Sequence, residues 1–372
     1  MLSSQIHKRI NFNFDKQKLV FDTSQELFSF AKVDDGTKEL LNSLRKNPDL
    51  KYKKILDLGC GYGVIGIFLK NKFKDSEVLC TDRDSLAVDF AKHNAELNSV
   101  KIETLPSLDF TEVKDKFSLI LTNFPAKLEK EGLEYFIAKS SEHLEKEGTL
   151  ALVIVKELNT AIEEIIKNET ISVTFKEKSK NYSVYHLKFK EKISSNFSYD
   201  SLRNEFILYD KRFILHTTHA LREFDTPHII TGLIQEILVN KKFTNVSIIN
   251  PGQGLIPLFV KEICSTKEIN LISNDLLQLK ISSENLLKEG FSNSKIENSN
   301  FAKNKADVLI WSIYDEDDKT IAEKLKIYIK SFQKIIIGGR ISVLSRVLKK
   351  LNINSKDQIK DKGYIAIFIN SL

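Results

Sequence analysis

This chain repeats itself, and that constrains its fold more than any other feature. Residues 10–30 read INFNFDKQKLVFDTSQELFSF and residues 205–224 read EFILYDKRFILHTTHALREF. Each holds two β-prone runs around an Asp-Lys pair, which predicts a hairpin. Asp15, Thr23, Leu27 and Phe30 answer to Asp210, Thr217, Leu221 and Phe224. A helical pattern follows in each copy. Thr37, Leu40, Leu41 and Leu44 share a face in the first. Ile229, Ile230, Leu233, Ile234, Ile237 and Leu238 do so in the second, where Pro227 suits a first helical turn. Next come KILDLGCGYGVIG from Lys54 and VSIINPGQGLIP from Val246, in which Gly61 and Gly63 answer to Gly252 and Gly254. Asn94 answers to Asn285, and Asp109-Phe110 to Asn300-Phe301.

One unit of about 190 residues used twice predicts two domains, 1–192 and 193–372, joined near the polar stretch EKISSNFSYD. Each alternates short apolar runs with helical segments. That implies an α/β, Rossmann-like fold, with a mostly parallel central sheet flanked by helices and an N-terminal β-hairpin.

The chemistry sits in the first copy. The apolar run ILDL enters Gly59-Cys60-Gly61-Tyr62-Gly63, and a helix begins near Val64. Glycines in such a turn tolerate positive φ and let a ligand approach the backbone. A second strand, EVLC, leads to Asp82, placed to accept hydrogen bonds from a ribose diol, with Arg83 beside it. Two readings fit. Gly61-x-Gly63-x-x-Gly66 matches a dinucleotide fingerprint, which makes a nicotinamide-dependent oxidoreductase one candidate. Asp57-x-Gly59-x-Gly61-x-Gly63 resembles the S-adenosylmethionine loop of class I methyltransferases, in which an acid can compensate a cationic ligand; Cys60 would lend a backbone N–H. Further on, Asp109 can accept from an adenine amine and the Phe110 ring can pack on its face. FSLILT then ends in Asn123-Phe124-Pro125-Ala126. An exocyclic amine is a poor nucleophile because its lone pair is delocalised into the ring. The Asn123 oxygen and the Phe124 carbonyl can each accept one amine hydrogen, which favours a pyramidal nitrogen.

Together these residues resemble the methyltransferase small domain family, including its tandem-domain ribosomal RNA guanine-N2 methyltransferases. The resemblance covers roughly residues 10–190: the hairpin, FDTSQELFSFAKVDDGTKELL, DLGCGYGVIG, Thr81-Asp82 and the closing NYSVYHLKFK. It implies two tandem methyltransferase domains and S-adenosylmethionine as cofactor, held by Asp57, Gly59, Cys60, Gly61, Gly63, Asp82, Arg83, Asp109 and Phe110. It also implies catalysis at Asn123, Phe124 and Pro125, and a structured ribosomal RNA as partner and substrate. The sequence departs from the family in three ways. The second copy is the worn one, the lead-in lacks a Pro-Gly, and Ala126 replaces an aromatic that would stack on a base, a role left to Phe124. A protein side-chain amide, a small molecule and a non-catalytic RNA-binding role remain alternatives.

In the second copy Ile248, Asn250, Asn300 and Ser312 replace Asp57, Gly59, Asp109 and Asn123. Pro251 and Pro257 replace Cys60 and Gly66, and Pro257 is expected to disturb a helix start. Asp82 maps near Asn274-Asp275, so an acid is expected to survive. The second copy is therefore read as a fold without its cofactor.

Composition excludes other classes. With 42% apolar and 28% charged residues, the chain is not a disordered one. No apolar run approaches the 18 or so residues of a membrane span, and MLSSQIHKRI lacks a secretory core, so a cytoplasmic protein is expected. Cys60, Cys80 and Cys264 lie far apart, giving neither a disulfide framework nor a zinc spacing; no metal is expected. The net charge of +6, with only 8 Arg among 56 basic residues, permits RNA binding without demanding it. Lys51, Lys53, Lys54, Lys70, Lys72 and Lys74 read as a solvated face, and His216, His219 and His228 as ordinary polar residues. The sequence sets no oligomeric state and is compatible with a monomer.

Overall fold

The structure is a computed structural model that describes residues 2–46, 52–200, 202–208, 211–299, 301–303 and 306–370. Lys51, Asp210 and Asn300 lie outside the described residues. The chain divides into two compact units, Met1–Phe197 and Ser198–Leu372. Among the described residues no helix is long and apolar enough to cross a membrane.

The first unit opens with an antiparallel hairpin, β1 (Lys8–Phe14) and β2 (Gln17–Thr23). Asp15 and Lys16 both take positive φ, +45° and +63°, as a tight two-residue hairpin turn requires. Helix α1 (Asp35–Arg45) follows, with Leu40, Leu41 and Leu44 buried as its spacing predicts. The sheet elements are β3 (Lys54–Leu58), α2 (Val64–Lys72), β4 (Glu77–Asp82), α3 (Ser85–Leu97), β5 (Glu103–Pro106), β6 (Phe117–Asn123), α4 (Glu129–His143), β7 (Leu144–Val155), α5 (Asn159–Ile165), β8 (Ile171–Lys178) and β9 (Tyr182–Phe189). Their seven strands lie in the order β5-β4-β3-β6-β7-β9-β8. The first five are parallel, and β9 runs antiparallel to both β7 and β8. β3 is central and covered by helices, so its run ILDL is apolar apart from Asp57.

The second unit repeats this plan. Its elements are β10 (Leu202–Leu208), β11 (Lys211–Thr217), α6 (Ile229–Leu238), β12 (Asn245–Ile249), α7 (Leu255–Ile263), β13 (Glu268–Ser273), α8 (Leu276–Lys288), β14 (Ser294–Asn298), β15 (Val308–Ser312), α9 (Asp318–Ser331), β16 (Lys334–Arg340), α10 (Ile341–Lys350), β17 (Gln358–Asp361) and β18 (Tyr364–Asn370). The order β14-β13-β12-β15-β16-β18-β17 is that of the first sheet, strand for strand. Two expectations are corrected. Pro257 is the third residue of α7, where an N–H has no intrahelical carbonyl to reach, so the helix starts undisturbed. Pro227 lies outside α6, one residue before its N-cap His228.

Candidate active site

From β3 the chain proceeds to β4 and β5 on one side and later to β6 on the other. The crevice at such a reversal, outside the strands' carboxyl ends, is where open α/β sheets bind ligands. The expected residues collect there. Asp57 lies near the end of β3 and Gly59 just past it, Asp82 ends β4, Asp109 and Phe110 follow β5, and Asn123 ends β6.

The glycine loop is built around a buried carboxylate. Asp57 is fully buried, and its Oδ2 accepts the Gly66 N–H at 2.8 Å. Its Oδ1 has no hydrogen-bond partner among the described residues. Desolvation pushes this carboxyl up to about 7; the charge of Asp82 adds to the effect and the Gly66 N–H opposes it. A Cβ on Gly66 would sit 2.2 Å from Cys80 Sγ, so only glycine lets α2 lie this close to β4. Gly59 and Gly61 have φ of +75° and +53°, and a Cβ on either would meet nothing within 4 Å. The surface above this loop is therefore open. Asp82 takes the Gly61 N–H on Oδ2 and the Asp84 N–H on Oδ1, both at 2.9 Å, which orients its carboxylate; half-buried Arg83 follows it. The Cys60 N–H, expected to face a ligand, instead donates to the Thr81 carbonyl beside that of Gly59, because the loop continues the β3–β4 ladder for one more turn.

Asn123 is held by two residues the sequence reading left unassigned to the site. Its Nδ2 donates to Asp34 Oδ2 at 2.8 Å and to Thr37 Oγ1 at 3.2 Å. Asp34 is the N-cap of α1 and also accepts the Thr37 N–H. Both amide hydrogens are thereby committed, and the side-chain oxygen is left as the acceptor Asn123 presents. The only trace of this in the sequence is Asp34-x-x-Thr37, a helix-cap pattern.

Several side chains are not where the sequence reading put them. Phe124 is 3% exposed and meets Phe136 edge-on at 5.3 Å, so its ring cannot stack on a base. Its N–H pairs with the Val153 carbonyl, which extends the β6–β7 ladder past Asn123 and turns the ring inward. Phe110 is 5% exposed and stacks on His143 at 4.8 Å, so one face intended for adenine is already covered. Asp109 is nearly buried with φ +51°. Pro125 begins a short turn, its carbonyl accepting the Leu128 N–H. Three lysines of the predicted solvated face have partners: Lys54 reaches Asp115 and Glu77, Lys72 reaches Asp15, and Lys70 reaches two carbonyls.

In the second unit the matching crevice is filled by its own side chains. Asn250 takes φ +57° in place of Gly59 and donates from Nδ2 to the Ser312 carbonyl at 2.8 Å. Glu223 accepts from the His228 N–H and the Thr231 hydroxyl, and a Cβ on Gly252 would lie 3.2 Å from its Oε2. Ile248 and Pro257 supply neither the carboxylate nor the N–H of the Asp57–Gly66 pair. The acid expected at Asn274-Asp275 is also lost. The Asn250 N–H bonds the Ile272 carbonyl as Gly59 bonds Thr81, which aligns Ser273 with Asp82. Asp275 is instead the cap of α8, the counterpart of Asp84. Ser107 and Ser299 each donate a side-chain bond to the carbonyl two residues on, so Asp109 aligns with Phe301, one residue beyond the expected Asn300. His216, His219 and His228 have separate environments: the Asp200 carbonyl, Phe224, and a cap on α6 between Tyr314 and Tyr364.

The family model of the methyltransferase small domain matches residues 18–186. Uncharacterized protein YbxB of Bacillus subtilis is 34% identical over 149 residues, 39% of this chain and 73% of that one. Ribosomal RNA small subunit methyltransferase C of Psychromonas ingrahamii is 31% identical over 160 residues, 42% of this chain. There the match spans 45% of the relative's own length. Among solved structures, the T. thermophilus 16S rRNA N2 methyltransferase RsmC, in complex with AdoMet and guanosine, superposes with a TM-score of 0.67 over 99% of both chains. At 13% identity, that likeness is one of fold.

Proposed function

Because this chain belongs to the methyltransferase small domain family, whose methyl donor is S-adenosylmethionine, we propose that its first unit methylates an exocyclic amine of a base in structured ribosomal RNA, guanine N2 foremost. The observation that carries this reading is the Asn123 side chain, clamped at Nδ2 by Asp34 and Thr37 so that its oxygen is the group offered. That oxygen accepts one hydrogen of the acceptor amine and the Phe124 carbonyl accepts the other, which turns the nitrogen lone pair out of the ring plane.

The residues fit the donor. The orphaned Oδ1 of buried Asp57 suits an ammonium group, the open faces of Gly59 and Gly61 admit a ligand against the backbone, and Asp82 suits a ribose diol. Asp109 follows as the acceptor for an adenine amine. When bound, the donor supplies an electrophilic methyl group on a sulfonium. The dinucleotide reading is disfavoured because the buried Asp57 carboxylate already takes the Gly66 N–H in the first turn of α2, where a pyrophosphate would need its positive end. The second unit, its crevice closed by Asn250 and Glu223, serves without a cofactor of its own.

The test incubates the purified chain with methyl-labelled S-adenosylmethionine and undermethylated small-subunit rRNA. The expected label is nuclease-sensitive, and Asn123→Ala lowers its rate about 100-fold, the scale of a misplaced reacting group, while S-adenosylhomocysteine still binds. Protease-sensitive label would replace RNA with a protein acceptor. Donor binding without transfer to RNA would favour the non-catalytic role.

A further inference from the structure

The Asn-Phe-Pro-Ala motif contains no aromatic ring that can face a substrate: Phe124 is buried and Ala126 has none. A base brought to Asn123 would be held along its edge but not on its face. The first unit does carry an exposed ring on the segment that leads to Asp34, the residue that clamps Asn123. Phe28 is 74% exposed, the most exposed of the large apolar side chains described. It lies on the segment between β2 and α1, which is tied down on both sides of the site. At one end the Thr23 hydroxyl donates to the Phe30 carbonyl at 2.7 Å. In the middle, the hydroxyl of Tyr62, from the glycine loop, lies 3.5 Å from the Ser29 carbonyl and 3.4 Å from that of Lys32. At the other end Asp34 clamps Asn123. The segment thus spans from the donor loop to the acceptor-holding residue, and Ser29, with φ +54°, turns the chain right after Phe28.

The worn unit shows what this position becomes when there is no acceptor to hold. Glu223 matches Ser29, with φ +62°, so Arg222 matches Phe28. Arg222 folds back onto its own unit, pairing with Asp315 at 2.6 Å and lying over the Tyr314 ring.

We infer that Phe28 is the stacking platform for the acceptor base, supplying from the lead-in loop the π face that Ala126 lacks. This rests on the reading of the acceptor as an RNA base. Stacking of a base on an aromatic side chain is sequence-tolerant and contributes enough to change kcat/KM by about 10- to 100-fold.

The test measures kcat/KM on small-subunit rRNA, S-adenosylhomocysteine affinity and melting temperature for the full chain and for Phe28→Ala, Phe28→Leu and Phe28→Trp. The expected result is a loss of about 10- to 100-fold for Ala and for Leu, retention within about threefold for Trp, and unchanged donor affinity and melting. Leu performing as well as Phe would overturn stacking in favour of simple apolar contact. An unaffected Ala variant would overturn the inference and leave the RNA reading standing. A parallel fall in donor affinity would assign Phe28 to the donor side. A wild-type protein that binds S-adenosylhomocysteine but transfers nothing to RNA would overturn the acceptor reading and this inference with it.

Discussion

Asp57 and Gly66 form a pair that neither residue sustains alone. A buried carboxylate without its N–H is too costly to ionise, and an N–H facing an apolar side chain loses a hydrogen bond. The second unit has lost both halves together, as Ile248 and Pro257. In the first unit, with Asp57 proposed to meet the donor's ammonium group, the pair should make donor binding pH-sensitive. The Asp57 carboxyl, with desolvation as the main cause, sits at about 7 when folded, above the unfolded value. The associated stability is therefore fully present below about pH 4 and is lost as pH rises through about 7. Binding of a cationic group runs the other way, because it needs the carboxylate. S-adenosylhomocysteine, which keeps the ammonium, should bind about tenfold more weakly at pH 6 than at pH 8, and Asp57→Asn should flatten that dependence. Calorimetric titration across that range checks both; an equally steep profile in the variant would place the titrating group elsewhere.

At the scale of elements, the hairpin is fastened to the glycine loop by one side chain in each unit. Asn94, fully buried on α3, accepts the Asp22 N–H and donates to the carbonyls of Asp22 and Tyr62. Asn285 on α8 accepts the His216 N–H and donates to the carbonyls of His216 and Gln253. A side-chain amide offers a strand both a donor and an acceptor and still has a second N–H, which here reaches the loop. Removing it leaves three backbone groups without partners. Asn94→Ala and Asn285→Ala should each cost about 3 kcal/mol in denaturant unfolding. Only the first should also weaken donor binding, since Tyr62 belongs to the glycine loop proposed to hold the donor. Equal weakening by Asn285→Ala would argue against separate roles for the two units. The Asn94–Asn285 correspondence was legible in the sequence because spacing survives where chemistry does not. The Asp109 register slipped by one because a single residue inserted in the second unit, between Asn285 and Ser299, leaves no mark in composition.

At the scale of the whole molecule, two sheets of one strand order differ in what their crevices contain. In the first, glycines leave the loop open. In the second, Asn250 and Glu223 close it. Titration of the full chain should accordingly give one S-adenosylhomocysteine site per chain, abolished by Asp82→Ala, and a second site would contradict the closed crevice. The duplication, the hairpins, the mostly parallel sheets and the placing of Asp57, Asp82 and Asn123 at strand ends followed from the sequence alone. These features depend on local demands, such as positive φ at glycine and apolar runs in buried strands, and neighbouring residues record such demands. Which atoms face the crevice depended on partners far along the chain. Asn123 is oriented by Asp34, 89 residues away, Phe124 is turned inward by Phe136 and the β6–β7 ladder, and the Cys60 N–H is taken by β4. A side chain's direction is fixed by what packs and bonds against it, and only the tertiary structure brings those groups together.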